Sequence, residues 1–210
     1  NLVAAIKEKM EKNPSIELKE ITNRFTVDII SSVAFGMEAN TLKKDNERLL
    51  RIFKEVFGVE GLAAMKFFFL IAFPKFSKTI RLRMFSQNIS DFFIDVIGSN
   101  IKYREESNDN RSDFLNMLIQ LKNKGSIDGE FSTEKKKLTL NEVLAQAFLF
   151  FFAGADTTST TISFALVELS RNFNIQEKLR DEIKEKTKET NGEITYEALQ
   201  DMTYLNQVVN

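Results

Sequence analysis

The chain has 210 residues, and its 29 Lys+Arg against 30 Asp+Glu leave a formal net charge of −1. That balance excludes the basic excess of a nucleic-acid binder, while 43% hydrophobic and 28% charged residues are enough to fill a core and exclude intrinsic disorder. With no Cys and no His, the residues themselves provide no disulfide, no thiolate or imidazole metal ligand and no Ser-His-Asp triad.

Only 2 Pro and 8 Gly interrupt the chain, so the expected fold class is all-α. Asn1 is not an initiator Met and no signal-peptide pattern follows it, so the chain is expected to be a piece whose start lies upstream. Residues 2–12 read as a helix broken at Asn13-Pro14. Ile21, Phe25, Ile29 and Val33 have helical spacing over 18–35, with Gly36 suited to its end. Residues 46–57 form an amphipathic helix followed by Gly58.

Residues 61–85 hold Lys66, Lys75, Lys78, Arg81 and Arg83 and no acid, mixed with Phe67, Phe68, Phe69, Phe73, Phe76 and Phe85. Such a mixture suits an anionic membrane surface, or else a buried Phe-rich helix pair with solvated basic residues. The apolar runs 67–73 and 143–155 are both shorter than the ~20 residues of a membrane span. A helix over 86–106, a polar link to about 111, a short helix from Phe114 to near Gly125 and a charged loop over 126–137 complete the first part.

Thr139-Leu140-Asn141-Glu142 fits a capping box, and from there no Pro and only Gly154 interrupts the pattern up to Arg171. A helix of that length would run roughly 48 Å. Its first half is apolar almost all round and must be buried. A charged surface helix over 175–189, a turn at Asn191-Gly192 and short helices from Tyr196 and Tyr204 follow.

The long helix contains Ala153-Gly154-Ala155-Asp156-Thr157-Thr158-Ser159-Thr160-Thr161. Gly costs ~1 kcal/mol in a helix interior relative to Ala, and Thr and Ser are poor helix formers. A local conflict of this kind is expected at functional sites. Hydroxyls can bond back to carbonyls four residues earlier. Leu149, Phe152, Ala153, Asp156, Thr157 and Thr160 share i, i+3, i+4, i+7 spacing and are expected on one face. That face is either a notch for a ligand, lined by a carboxylate and a hydroxyl, or a close helix–helix contact whose hydroxyls satisfy themselves.

The run Ala153-Gly154-Ala155-Asp156-Thr157-Thr158 resembles the oxygen-activation signature [Ala/Gly]-Gly-x-[Asp/Glu]-Thr-[Thr/Ser] of the cytochrome P450 superfamily. The flanks Ala145-Gln146-Ala147-Phe148 and Phe164-Ala165-Leu166-Val167-Glu168-Leu169 agree with it. So do Phe25-Thr26-Val27-Asp28-Ile29-Ile30, residues 86–93, Asp113-Phe114-Leu115 and residues 195–209, which look like segments of microsomal, insect-type xenobiotic-metabolising members. The resemblance covers residues 1–210, and the fold it implies is a partial cytochrome P450 domain, its distal half, built around one long oxygen-activating helix.

The resemblance implies a haem cofactor and an enzyme inserting one oxygen atom from O2 into lipophilic small molecules, with electrons from NADPH through a cytochrome reductase. Asp156 matches the acid that relays protons, and Thr157 the hydroxyl beside the oxygen-binding position. Ala153, Gly154 and Thr157 match residues against the haem, and Leu149, Phe152 and Ala153 match the substrate wall. The region 61–85 corresponds to a membrane-facing roof, and the location implied is the cytoplasmic face of the endoplasmic reticulum membrane. The axial Cys loop, the Glu-x-x-Arg helix and the N-terminal anchor of the family are not in this chain, so the fragment alone is expected to be inactive. The alternative reading is a non-catalytic α-helical module that binds apolar ligands or a partner helix.

Overall fold

Scarcity of helix breakers and runs of apolar residues at three- and four-residue spacing produce helices, and among the described residues every regular element is an α-helix. The computed structural model describes residues 2–13, 15–43, 47–57, 61–83, 85–107, 109–128 and 136–210. In chain order the helices are α1 (Leu2–Lys12), α2 (Leu18–Phe35), α3 (Glu47–Phe57), α4 (Leu62–Ala72), α5 (Pro74–Thr79), α6 (Gln87–Ser107), α7 (Phe114–Asn123), α8 (Leu140–Arg171), α9 (Phe173–Lys186), α10 (Tyr196–Gln200) and α11 (Thr203–Val209). The expected helix start at Asn46, the stop at Gly58 and most of the 126–137 loop lie outside the described residues. The helix expected over 175–189 runs earlier, from Phe173 to Lys186, because Asn172 takes the N-cap position and the Thr187 hydroxyl donates back to the Ile183 carbonyl at its end.

The chain divides into two compact units, residues 24–155 and residues 1–23 with 156–210. The division falls inside α2 and α8. In the 24–155 unit the core is aromatic. Phe35, Phe53, Phe93, Phe151 and Phe152 are buried with Val27, Ile52, Ile97, Leu115 and Val143. Most of their rings meet edge-on or tilted, as between Phe93 and Phe151 at 5.5 Å and Phe35 and Phe151 at 5.9 Å, while Phe53 and Phe152 stack. These offset contacts suit the ring quadrupole and add to the burial of large apolar area.

Polar anchors fix the ends of helices in this unit. Gly36 follows α2 at φ +60°, a left-handed conformation that costs an L-residue about 1 to 2 kcal/mol. The site is also closed to a side chain, since a Cβ there would lie 2.7 Å from Arg104 Nη2. Arg104 reaches under the turn from α6. Its Nη2 donates to the Phe35 carbonyl at 2.8 Å and both amino nitrogens donate to the Asp113 carboxylate at 2.6 and 2.7 Å. Asp113 in turn is the N-cap of α7, accepting from Asn116 N. Burial works against the charged Asp113 carboxylate, but the Arg104 guanidinium and the Asn116 N–H outweigh it and hold its pKa below the ordinary value.

The 1–23 and 156–210 unit has a smaller buried apolar set. Ile21, Leu179 and Met202 are its buried apolar residues, beside buried Thr22, Ser159 and Thr187. Glu182 of α9 accepts from Tyr204 N and Leu205 N, each at 2.8 Å. It thus satisfies two orphan donors of the first turn of α11.

Candidate functional site

The capping box expected at residues 139–142 starts α8. Thr139 N donates to Glu142 Oε2 at 2.8 Å and Glu142 N donates to Thr139 Oγ1 at 3.3 Å. The helix then continues through Gly154 and the hydroxyl run to Arg171. Within that run the hydroxyls satisfy themselves on the backbone. Thr160, Thr161 and Ser163 donate to the carbonyls of Asp156, Thr157 and Ser159, four residues earlier in each case.

The wide i, i+3, i+4, i+7 face expected from spacing separates into two lines. Leu149, at 62% exposure, and then Ala153, Thr157 and Thr161, four residues apart and all exposed, form one line along α8. Phe152, at 5% exposure, belongs to the other. It packs on Phe53, Phe93 and Phe148 with ring centroids 5.7, 5.1 and 4.6 Å away. Spacing alone could not separate Phe152 from Ala153 and Leu149, because residues three and four apart differ by less than the width of an apolar helix face. Gly154 is half-buried, and a Cβ there would lie 2.9 Å from Ile30 Cδ1, so its missing side chain lets α2 and α8 pack closely.

Asp156 sits beside this exposed line, half-buried and ion-paired with Lys19 of α2 at 2.9 Å. Around the pair, α2 supplies Thr22 and Asn23 and α8 supplies Ser159, Thr160 and Ser163. Thr22 Oγ1 and Ser163 Oγ are 2.8 Å apart, and Ser159 Oγ donates to Asn23 Oδ1. Sequence reasoning did not single out Lys19, whose partner lies 137 residues away. The available signal was the polar trio Lys19, Thr22 and Asn23, at i, i+3 and i+4 beside the apolar Ile21.

The exposed line suits a flat apolar cofactor. Ala153, the smallest side chain on it, lies between the larger Leu149 and Thr157. A small, exposed apolar side chain of this kind is chemically compatible with one face of a haem. An axial ligand is a different matter. The chain has no Cys or His, and among the described residues no group of three or more potential ligands lies close enough to hold a metal ion.

Similarity to known proteins identifies the family. The family model "Cytochrome P450" matches residues 1–210. "Probable cytochrome P450 6a21" and "Cytochrome P450 6a2" of Drosophila melanogaster are 36% and 37% identical to the chain over 97% and 93% of its length. "Cytochrome P450 6A1" of Musca domestica is 36% identical over all of it. The alignments cover 40%, 38% and 40% of these three relatives, so the chain spans about two fifths of their length. A helical chain with this signature on its longest helix and a family match over its full length belongs to the cytochrome P450 family. That family's cofactor is haem.

Proposed function

We propose that residues 1–210 are the distal portion of a haem monooxygenase that inserts one atom of O2 into a lipophilic small molecule. The balanced reaction consumes the substrate, O2, two electrons and two protons and yields the hydroxylated product and water. The electrons come from NADPH through a reductase. Haem, when bound, would supply the redox chemistry.

The residues here take the remaining tasks. Ala153 keeps the helix face low where the cofactor lies, Gly154 lets α2 close on α8 at Ile30, and Leu149 adds an apolar wall for substrate. Phe152 supports that wall from the core. Thr157 holds a water and a hydrogen bond at the oxygen-binding position, and Asp156 passes protons to it from solvent. The observation that supports this reading is the exposed Ala153–Thr157 line, with the half-buried Asp156 carboxylate beside it.

α4 and α5 complete the reading as a roof lying on the cytoplasmic face of the endoplasmic reticulum membrane. Met65, Phe68, Ile71, Phe73 and Phe76 are exposed there, Phe68 at 69%. Lys75, Lys78, Arg81 and Arg83 are exposed with them. No helix among the described residues is long and apolar enough to cross a membrane, and an apolar, basic surface of this kind lies on a bilayer rather than spanning it.

The test is to introduce Thr157→Val and Asp156→Asn into the full-length protein with its reductase. Product formed per NADPH consumed is expected to fall several-fold in both, with the difference appearing as hydrogen peroxide or water. Unchanged coupling in both variants would refute the assignment and favour a helical module that merely binds apolar ligands.

A further inference from the structure

Lys19 is a half-buried cation placed on the acid of the signature. Its Nζ lies 2.9 Å from Asp156 Oδ1, 2.7 Å from Ser159 Oγ, 2.5 Å from Thr160 Oγ1 and 3.2 Å from the Asp156 carbonyl. An ammonium has three N–H donors and no acceptor. The protons of both hydroxyls are directed elsewhere, since Thr160 Oγ1 donates to the Asp156 carbonyl and Ser159 Oγ has both that carbonyl and Asn23 Oδ1 in reach. Their lone pairs are thus turned toward Lys19. One carboxylate and two hydroxyls match the three donors, with the carbonyl sharing one of them.

This arrangement is more specific than a surface ion pair. The hydroxyl-rich turn after Asp156, costly for a helix, supplies two sides of an ammonium site whose third side is the Asp156 carboxylate. The Lys19 and Asp156 side chains retain 36% and 29% exposure, so water reaches the pair. We propose that Lys19 is a positioning residue for the proton-relay carboxylate. It holds the Asp156 side chain on the α2 side of α8, one residue round from Thr157, within reach of solvent.

Lys19 touches neither substrate nor cofactor in this role. It acts through Asp156 by fixing the rotamer from which protons are taken up and handed on. The inference rests on the proposed monooxygenase function and adds to it a residue outside the signature.

Two measurements on the full-length protein test it. The first needs no turnover. Amine acylation read by mass spectrometry is expected to modify Lys19 several-fold more slowly than the exposed Lys184, and Asp156→Asn should remove that protection. The second compares Lys19→Met with Lys19→Arg. Product per NADPH should fall several-fold in Lys19→Met while haem loading and the substrate-binding spectrum stay as in the wild type. Lys19→Arg, which keeps a cation, should recover part of the coupling.

Rapid labelling of Lys19 in the wild type would overturn the proposal whatever the activities. Full coupling in Lys19→Met beside an uncoupled Asp156→Asn would overturn the role of Lys19 alone, leaving the monooxygenase reading intact. Full coupling in Asp156→Asn would remove the task that Lys19 is said to serve. If Lys19→Met fails to load haem, the labelling comparison of wild type with Asp156→Asn decides.

Discussion

The pair between Arg104 and Asp113 is closed off from water, with side-chain exposures of 2% and 5%. Asp113→Asn removes the negative charge while leaving a residue that caps α7 about as well. The guanidinium is then held in the interior by two neutral oxygens, of Phe35 and of the new amide. Removing one partner of a buried pair costs about 3 to 5 kcal/mol, against about 0 to 1 kcal/mol for an exposed one. Arg111, half exposed with its Nε 3.6 Å from Asp113, does not offset the loss, because it is a second cation left without the same carboxylate. Adding Arg104→Met in the same chain removes the stranded charge and fills most of its volume. The Phe35 carbonyl keeps a donor in Asn100 Nδ2 at 2.8 Å. The double variant is therefore expected to be more stable than Asp113→Asn alone. Urea unfolding followed by helical circular dichroism measures both. With a slope of about 1 to 3 kcal/mol per molar urea, Asp113→Asn should lower the midpoint by roughly 1 M or more. A loss under about 1 kcal/mol, or a double variant weaker than the single one, would refute the argument.

The same carboxylate predicts an acid dependence. Its folded pKa lies below the unfolded one, so its stabilisation is complete above the ordinary carboxylate pKa near ~4 and disappears as pH falls through the lowered value. Urea midpoints taken downward from neutral pH should fall less steeply in Asp113→Asn than in the wild type. Gly36→Ala should destabilise by at least the roughly 1 kcal/mol of a left-handed Ala, and further as Arg104 is pushed from the Phe35 carbonyl; the urea midpoint reports it. Gly154→Ala should be close to neutral, because the Ile30 methyl it meets can turn aside and Ala gains about 1 kcal/mol in helix propensity; adding Ile30→Val should leave the variant at least as stable as wild type. Glu182→Ala should speed amide hydrogen exchange at Tyr204 and Leu205 relative to the wild type, since it removes the acceptor of both N–H groups.

Local signals in the sequence were strong where structure is local. Phe35-Gly36 marked the end of α2 because only a residue without a Cβ sits easily at that φ and beside Arg104. Thr139 and Glu142 marked the start of α8 because a capping box is complete within four residues. The back-bonding of Thr160, Thr161 and Ser163 was equally legible, since each hydroxyl finds its carbonyl one turn away. What escaped was long-range. Lys19 in α2 reads as one more solvated cation until Asp156 is brought to it, and Arg104 as an ordinary charge in a polar stretch. Phe152 and Ala153 are neighbours in sequence with the same apolar character, yet one is set among other phenylalanine rings and the other faces outward. Periodicity gives the direction of a side chain only to within the width of a face, and tertiary packing decides the rest.

The phenylalanine core also governs how the chain can be observed. There is no Trp and only 3 Tyr among the 210 residues, and Tyr103 and Tyr196 are exposed. The rings that pack most tightly therefore absorb weakly and scarcely report on their own loosening. Tyr204 is the exception, half-buried with the Lys178 ammonium 4.2 Å from its ring centroid and its N–H held by Glu182. The burial-sensitive part of the tyrosine emission from this chain is thus a gauge of the α9–α11 corner, and the melting of the aromatic interior is only faintly visible unless an indole is placed there.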